Sequence, residues 1–117
     1  MNEVSIIPIS GLPEVLEGDN LADLTHNVLK KSNRKIMDGD IFVVTQKIVS
    51  KSEGMSRNLN EYNFEDLLKS QISRVIRKRG ELVIAKTKHG FICANAGIDK
   101  SNVQKNTVLL LPEDPNK

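Results

Sequence analysis

Apolar and polar residues alternate along the chain in a way that predicts strands and helices in mixed order. Residues 4–10 are rich in β-branched side chains and predict a strand that lies at a sheet edge or ends at Pro8, because proline lacks the amide hydrogen of a sheet ladder. Residues 41–44 follow the turn sequence Asp-Gly-Asp and predict a buried strand. Residues 46–54 mix polar and apolar positions, and we expect a strand that carries lysines away from the core.

Two segments have the spacing of amphipathic helices. The first has Asp19 as a candidate N-cap, and its apolar face should end near Lys31. The second is predicted from the candidate cap Asn63 to Gly80. Its apolar side consists of Phe64, Leu67, Leu68, Ile72, Val75 and Ile76.

The last third of the chain predicts a hairpin and a final strand. Residues 82–86 and 91–94 flank a short polar stretch that suits a hairpin turn, and residues 107–112 form another apolar run. This order of elements predicts a mixed α/β fold with two main helices and a partly antiparallel sheet. At 117 residues, we expect residues 1–117 to form one domain.

Composition narrows the class of protein. The chain has 38% hydrophobic and 27% charged residues, which is typical of a globular domain. No stretch approaches the roughly 18 apolar residues of a membrane span, so a cytoplasmic location is expected. The single cysteine, Cys93, excludes an internal disulfide, and its apolar neighbours indicate a buried, inert thiol. A net charge of +2 is too small to indicate nucleic-acid binding by itself.

Two stretches in the first half of the chain are candidates for nucleotide binding. In residues 11–19, backbone amides around Gly11 and Leu12 could cradle a phosphate or base, but the Gly-Lys-Ser/Thr ending of a P-loop is missing, and a plain surface loop is the alternative. Lys47 and Lys51 lie four residues apart, on one face of the predicted strand. They would either clamp successive phosphates or protect a sheet edge from aggregation.

A basic run lies at the predicted end of the second helix. Arg74, Arg77, Lys78 and Arg79 would complement the negative end of the helix dipole there. The alternative is a non-catalytic module in which this helix end contacts nucleic acid or an acidic partner, although few aromatic residues are present for base stacking. His89 has no second histidine nearby, so a histidine metal pair is not expected.

Polar residues follow the strand predicted at residues 91–94. Gly97 can adopt positive φ, Asp99 offers a carboxylate, and Ser101 and Asn102 add neutral hydrogen-bonding groups. Mg²⁺ typically uses one or two carboxylates and completes its shell with water and phosphate oxygens, so Asp99 could be half of a magnesium or manganese site shared with a nucleotide. An Asx turn is the alternative.

Four stretches together resemble the N-terminal half of the coenzyme F420:L-glutamate ligase family, also called F420-0 γ-glutamyl ligase. They are "GLPEVLEGDNLADL", "DGDIFVVTQKIVSKSEG", "HGFICANAGIDKSNV" and "LLLPEDP", in that order. The resemblance implies a ligase that uses GTP and Mg²⁺ or Mn²⁺ to attach L-glutamate to coenzyme F420-0 through a γ-linked amide. It also implies a homodimer, with no membrane partner.

The resemblance assigns roles to individual residues. Asp99 matches a metal ligand of the family. Lys51 and Asp99 would be the catalytic residues. The nucleotide contacts would be Leu12, Pro13, Glu14, Val15, Gln46, Lys47, Lys51 and Asn102. Members of the family are about twice as long, and their second half supplies further metal ligands. We therefore expect an incomplete ligase site and an incomplete F420 ligase-like fold. The chain would be a fragment, a truncated relative or one half of a complex. A purely structural subunit that completes a separately encoded C-terminal half is a further alternative.

Overall fold

Helices and short strands alternate in the computed structural model, which describes residues 3–101 and 105–114. The α-helices are Leu21–Lys31 (α1), Gln46–Ser52 (α2) and Phe64–Gln71 (α3). The strands are Ser56–Asn58 (β1), Ile72–Arg79 (β2), Leu82–Thr87 (β3), Ile92–Ala94 (β4) and Thr107–Leu109 (β5), and Asn95–Gly97 forms a 3₁₀ helix. β1 pairs with β5, and β2, β3 and β4 form a second sheet; both sheets are antiparallel. The predicted mixed α/β class is confirmed.

Asparagine side chains begin two of the helices. The Asn20 side chain accepts a hydrogen bond from the Asp23 amide at 3.1 Å at the start of α1. The Asn63 side chain accepts one from the Glu65 amide at 2.9 Å at the start of α3. These bonds satisfy amides that have no partner within the helix. The first helix is therefore confirmed, with its cap one residue after Asp19.

The core surrounds β5. Val108, Leu109 and Leu110 have exposed fractions of 1%, 0% and 2%. The Leu110 amide donates to the carbonyl of Met55 at 3.0 Å, which ties the end of β5 to the segment after α2. Buried apolar residues of α3, β3 and the segment after β4 complete the core; they are Leu67, Leu68, Val83, Ala85, Ala96 and Ile98.

The prediction of one long helix from Asn63 to Gly80 is wrong after Gln71. The chain becomes extended at Ile72 and continues as β2, which pairs with β3. Gly80, at φ +59°, lies in the tight turn between these strands, a left-handed conformation that glycine adopts easily. The basic residues between Arg74 and Arg79 therefore lie on a strand and not at a helix end, so the helix-dipole interpretation is wrong. Residues 3–101 and 105–114 contain three α-helices and not the two predicted.

Two predicted strands are also wrong. Within the described residues no strand precedes Ser56, and the apolar residues of 4–10 and 41–44 are largely exposed. A strand needs a hydrogen-bonded neighbour, and neither segment has one here. Residues 46–52 of the segment 46–54 form helix α2 instead of a strand, consistent with the good helix propensity of Gln and Lys. The last predicted strand is shorter than expected and ends at Leu109.

Of the remaining predictions on the second half of the chain, the hairpin is confirmed and the buried cysteine is not. The hairpin is confirmed, because β3 and β4 pair around the turn that contains His89. Cys93 is a free cysteine on β4, but it is only half-buried, so the expectation of a buried thiol is wrong. None of the helices in the described ranges has the length and apolar character needed to cross a membrane.

Candidate functional site

The short helix α2 is the centre of the candidate site. Lys47 and Lys51 occupy positions four apart on this helix, so they lie on one face, one turn from each other. The predicted strand was wrong, but the two lysines still lie on one face. Residues four apart share a face both on a strand and on an α-helix. Each lysine reaches a different carboxylate.

Lys47 contacts Asp99 and Ser101, which follow it by 52 and 54 residues in the sequence. The Lys47 Nζ lies 3.0 Å from Asp99 Oδ2. It also donates to the Ser101 hydroxyl at 3.3 Å and to the Ser101 carbonyl at 3.4 Å. Asp99 Oδ1 accepts hydrogen bonds from the Ser101 amide at 2.7 Å and from its hydroxyl at 2.6 Å. The three residues form what we call the Asp99 cluster.

These contacts keep the Asp99 carboxyl ionised. The hydroxyl and amide of Ser101, and then the Lys47 ammonium, lower the pKa of Asp99 from 3.8 to about 2. Each donor stabilises the charged form of the carboxylate, and burial opposes this only weakly. Asp99 therefore carries a full negative charge at neutral pH.

The backbone of Asp99 is held by the core. Its amide donates to the Leu109 carbonyl at 2.8 Å, and the Leu109 amide donates back at 2.9 Å. Just before it, Gly97 adopts φ +73°, and a Cβ at this position would lie 2.8 Å from the Leu111 side chain. The predicted positive φ at Gly97 is confirmed, and glycine is needed there for space as well.

The glycine-containing loop lies at the other end of α2. The Gly18 amide donates to the Ser52 carbonyl at 2.8 Å, and Val15 is buried with 6% of its surface exposed. Within the loop, the Glu14 carboxylate forms an ion pair with Lys51. The loop, the helix and the Asp99 cluster are thus joined through the two lysines.

The other predicted nucleotide residues are placed as follows. Gln46 donates from its side chain to the Ser50 hydroxyl at 2.9 Å, within α2. Leu12 is half-buried and Pro13 is exposed in the loop before Val15. Asn102 lies outside the described residues. The roles assigned to all these residues stay predictions.

The Asp99 cluster offers oxygen donors but no complete set of metal ligands within the described residues. Among residues 3–101 and 105–114, no group of three or more His, Cys, Asp and Glu side chains is arranged to hold a metal ion. The Asp99 carboxylate and the Ser101 hydroxyl are oxygen donors of the kind that Mg²⁺ and Mn²⁺ use. In this structure the Lys47 ammonium contacts one of the Asp99 carboxylate oxygens. The metal role of Asp99 stays a prediction.

Sequence patterns gave no indication of a cavity around His89. The cavity has a volume of about 320 Å³ and is lined by Val44, Gln46, Val49, His89, Phe91, Leu111 and Pro112. Both ring nitrogens of His89 are buried without a hydrogen-bond partner. His89 and Val49 lie 40 residues apart in sequence, so only the folded chain brings them together. A larger, open depression of about 600 Å³ next to α1 contains none of the predicted site residues.

Comparison with known proteins places this arrangement in a family. The family model of F420-0:gamma-glutamyl ligase matches residues 11–117. The chain is 34% identical to the coenzyme F420:L-glutamate ligase of Methanothermobacter thermautotrophicus over 97% of its length. It is 37% identical to the enzyme of the same name from Archaeoglobus fulgidus, again over 97% of its length. The chain belongs to the F420-0:gamma-glutamyl ligase family.

The match covers only part of each relative. The aligned region is 52% of the M. thermautotrophicus protein and 50% of the A. fulgidus protein. The chain spans about half the length of these relatives, and the predicted resemblance to this family is confirmed.

Proposed function

We propose that this chain provides the nucleotide- and metal-binding half of a GTP-dependent ligase that adds L-glutamate to coenzyme F420-0 through a γ-linked amide. The observation that carries the proposal is the convergence of the Asp99 cluster and the Lys51–Glu14 pair on one side of α2. Two ammonium groups next to an ionised carboxylate suit a polyphosphate and its cation. The ligase class of the family supports the same direction.

The reaction would proceed through an activated carboxylate. An oxygen of the F420-0 carboxylate would attack the γ-phosphorus of GTP, GDP would leave, and an acyl phosphate would form. The amino group of glutamate would then attack the acyl carbon, lose a proton and expel inorganic phosphate. Both steps move negative charge on phosphoryl oxygens, which Lys51 and Lys47 would stabilise.

Asp99 and Ser101 would hold the divalent cation, Mg²⁺ or Mn²⁺. When bound, the ion would neutralise charge on the nucleotide phosphates. Because the Asp99 carboxyl has a pKa of about 2, it needs no deprotonation before it binds a cation. Lys47 would exchange its contact with Asp99 for one with a phosphate oxygen.

The remaining nucleotide contacts would come from three places. The backbone of Leu12 to Val15 would approach the guanine nucleotide, the Gln46 amide would bind it from the start of α2, and Asn102 would contact it beyond the Asp99 cluster. The loop is already held against α2 by the Gly18–Ser52 hydrogen bond. Because the loop is already held in place, nucleotide binding would cost less conformational entropy.

The complete site would need further polypeptide, and we expect the chain to associate as a homodimer. A polypeptide equivalent to the other half of the relatives, in the same chain or separately encoded, would supply the missing ligands. Large exposed apolar side chains such as Ile6 (93%) and Val43 (92%) support association, including the homodimer implied by the family. Sedimentation velocity measures this directly, and a monomer at high micromolar concentration would contradict the homodimer.

Calorimetric titration of GTP with and without Mn²⁺ tests the binding half of the proposal. We expect weak binding to the unchanged chain, strengthened by Mn²⁺. The variant Asp99→Asn should lose the strengthening by Mn²⁺, because it removes the negative charge and keeps an oxygen acceptor. The matched control is Asp40→Asn, since Asp40 is an exposed turn carboxylate that accepts from the Met37 amide at 2.8 Å.

Two results would contradict the proposal. If Asp99→Asn and the unchanged chain respond equally to Mn²⁺, Asp99 is not a metal ligand. If GTP does not bind in either condition, and glutamate transfer to F420-0 does not appear when the chain is joined to the second half of the M. thermautotrophicus relative, the ligase role is wrong. A purely structural subunit would restore transfer on joining and also tolerate Asp99→Asn.

A further inference from the structure

Strand β2 is an exposed edge that nothing in the described structure covers. It pairs with β3 on one side and forms the end of the β2-β3-β4 sheet. Seven of its eight residues are exposed. Its other side therefore presents backbone N–H and C=O groups without a strand partner, the arrangement onto which another extended segment can add.

The register of β2 on β3 collects its arginines on one face. Arg74 pairs with Lys86, Arg77 with Ile84 and Arg79 with Leu82. Directly paired residues of an antiparallel ladder point to the same side of the sheet. The alternate residues of β3, Val83, Ala85 and Thr87, are buried against the core. The arginines opposite the other set consequently lie on the outer face; we call Arg74, Arg77 and Arg79 the arginine row.

Two irregularities in β2 are needed for this alignment. Residues three apart on a regular strand point to opposite faces. The register shifts between Ile72 and Arg74 and again between Val75 and Arg77, and the second shift brings Arg77 to the same face as Arg74. Bulges of this kind re-aim side chains at sheet edges.

No described residue forms an ion pair with the arginine row. In the part of the chain that the structure describes, the ion pairs are Lys47–Asp99, Lys51–Glu14 and Lys88–Glu113, and none involves the row or Lys86. Arg74 lies directly opposite Lys86, and like charges in that position destabilise a sheet. An anionic ligand would relieve this repulsion.

We propose that the free edge of β2 binds an extended acidic segment of a partner protein, which adds as a strand and places carboxylates opposite the arginine row. Residues two apart on a strand are about 6.8 Å apart and share a face, so alternate acidic residues would match Arg77 and Arg79. Backbone hydrogen bonds to β2 would supply affinity and the arginines would supply charge selectivity. This inference goes beyond the ligase proposal and does not depend on it.

A peptide fits these observations better than a nucleic acid. β2 and β3 contain no aromatic residue, so exposed bases would find no stacking surface on this sheet. A phosphodiester chain also has no repeating N–H and C=O pattern to pair with a strand edge. An acidic polypeptide can both form backbone hydrogen bonds with the open strand edge and place negative charges opposite the arginines. A nucleic acid can do only the second.

Fluorescence anisotropy with a labelled peptide of about ten residues that alternates Glu and Thr tests the proposal. We expect binding at low salt that weakens as salt rises. The triple variant Arg74→Gln/Arg77→Gln/Arg79→Gln should weaken it by about tenfold or more. The matched control, Lys30→Gln/Lys31→Gln/Arg34→Gln, removes the same charge from exposed residues at the end of α1 and just after it and should bind as the unchanged chain does.

A second peptide separates strand addition from simple charge attraction. Methylation of alternate backbone nitrogens on the strand-pairing side removes hydrogen-bond donors and keeps every carboxylate, and this peptide should lose most of the binding. Hydrogen exchange of the unchanged chain should show new protection of β2 amides when the unmodified peptide is bound. These two measurements stand even if the arginine variant fails to fold.

Four outcomes would overturn the proposal. They are no binding at low salt, equal binding of the methylated peptide, tighter binding of single-stranded RNA, and tighter binding of γ-linked oligoglutamate than of the α-linked peptide. The third outcome would assign the row to nucleic acid. The fourth would assign it to a γ-glutamyl chain, since its carboxylates match in charge but its backbone does not match a strand.

Discussion

Residues 107–111 and residues 41–44 are both largely apolar, but only the first run contains a strand and is mostly buried. In the first run, Val108 and Leu109 expose 1% and 0% of their surface. In the second, Ile41 and Val43 expose 87% and 92%. The difference shows that an apolar, β-branched run is not sufficient for a strand. A neighbour that satisfies the backbone and covers the side chains is also needed.

The neighbours of β5 can be named. β1 pairs with it along one side, Asp99 exchanges two backbone hydrogen bonds with Leu109, and Met55 accepts from Leu110. Within the described residues, 41–44 takes part in neither sheet. Because the hydrophobic effect acts only on surface that is removed from water, the two runs contribute very differently to stability.

The largest expected effect follows from this contrast. Leu109→Ala should lower the free energy of unfolding by about 2–5 kcal/mol, because it leaves a cavity in a fully buried position. At concentrations low enough to keep the chain monomeric, Val43→Ala should change it by less than about 0.5 kcal/mol, as for other exposed positions. Urea unfolding followed by circular dichroism compares the two. Equal losses would mean that residues 41–44 are buried in solution.

A pair of glycines sharpens the comparison at the backbone level. Gly97 and Gly39 both have positive φ, at +73° and +92°. A Cβ at Gly97 would approach Leu111 to 2.8 Å, whereas a Cβ at Gly39 has nothing within 4 Å. Gly97→Ala should cost about 2–3 kcal/mol from strain and overpacking, and Gly39→Ala about 1 kcal/mol from strain alone. Similar costs would show that Leu111 moves aside freely.

Acid should weaken the contact that joins α2 to the core region. The pKa of Asp99 falls from 3.8 to about 2 on folding, so its contribution is present above pH 4 and is lost as the pH falls through about 2. After solvent screening we expect about 1 kcal/mol. The difference in unfolding free energy between the unchanged chain and Asp99→Asn should shrink below pH 4.

The exposed Glu113 provides the control for this pH dependence. Its hydrogen bond and ion pair with Lys88 also lower its pKa, but its carboxylate is largely in solvent. Glu113→Gln should therefore leave the acid unfolding profile nearly unchanged. If Glu113→Gln removes as much pH dependence as Asp99→Asn, the hydrogen bonds from Ser101 do not make Asp99 contribute more to stability than an exposed ion pair.

Local patterns were sufficient where the neighbours are close in sequence. The apolar face of α1 lies within one element, and the β3–β4 hairpin is joined by a short turn, so both could be predicted. The cap of α1 was predicted at Asp19, one residue before the observed cap Asn20. The change from α3 to β2 at Ile72 could not be predicted, because Ile72, Val75 and Ile76 fit a helical face and a strand equally well. Pairing with β3 decides between them. Likewise, the sequence identified Asp99 and Lys47 separately, but their contact depends on the packing of α2 against β5.

The smallest effect is expected at the Lys51–Glu14 pair, which joins the loop to α2. Glu14 is 69% exposed, so Glu14→Gln should change stability by less than about 0.5 kcal/mol. The same substitution releases Lys51, which is only 16% exposed and would then face the nucleotide phosphates without a competing carboxylate. We therefore expect GTP affinity to rise by a few-fold at low salt, and calorimetric titration measures it. A fall in affinity would mean that the Glu14 side chain binds the nucleotide itself, and the loop would then contribute more than its backbone.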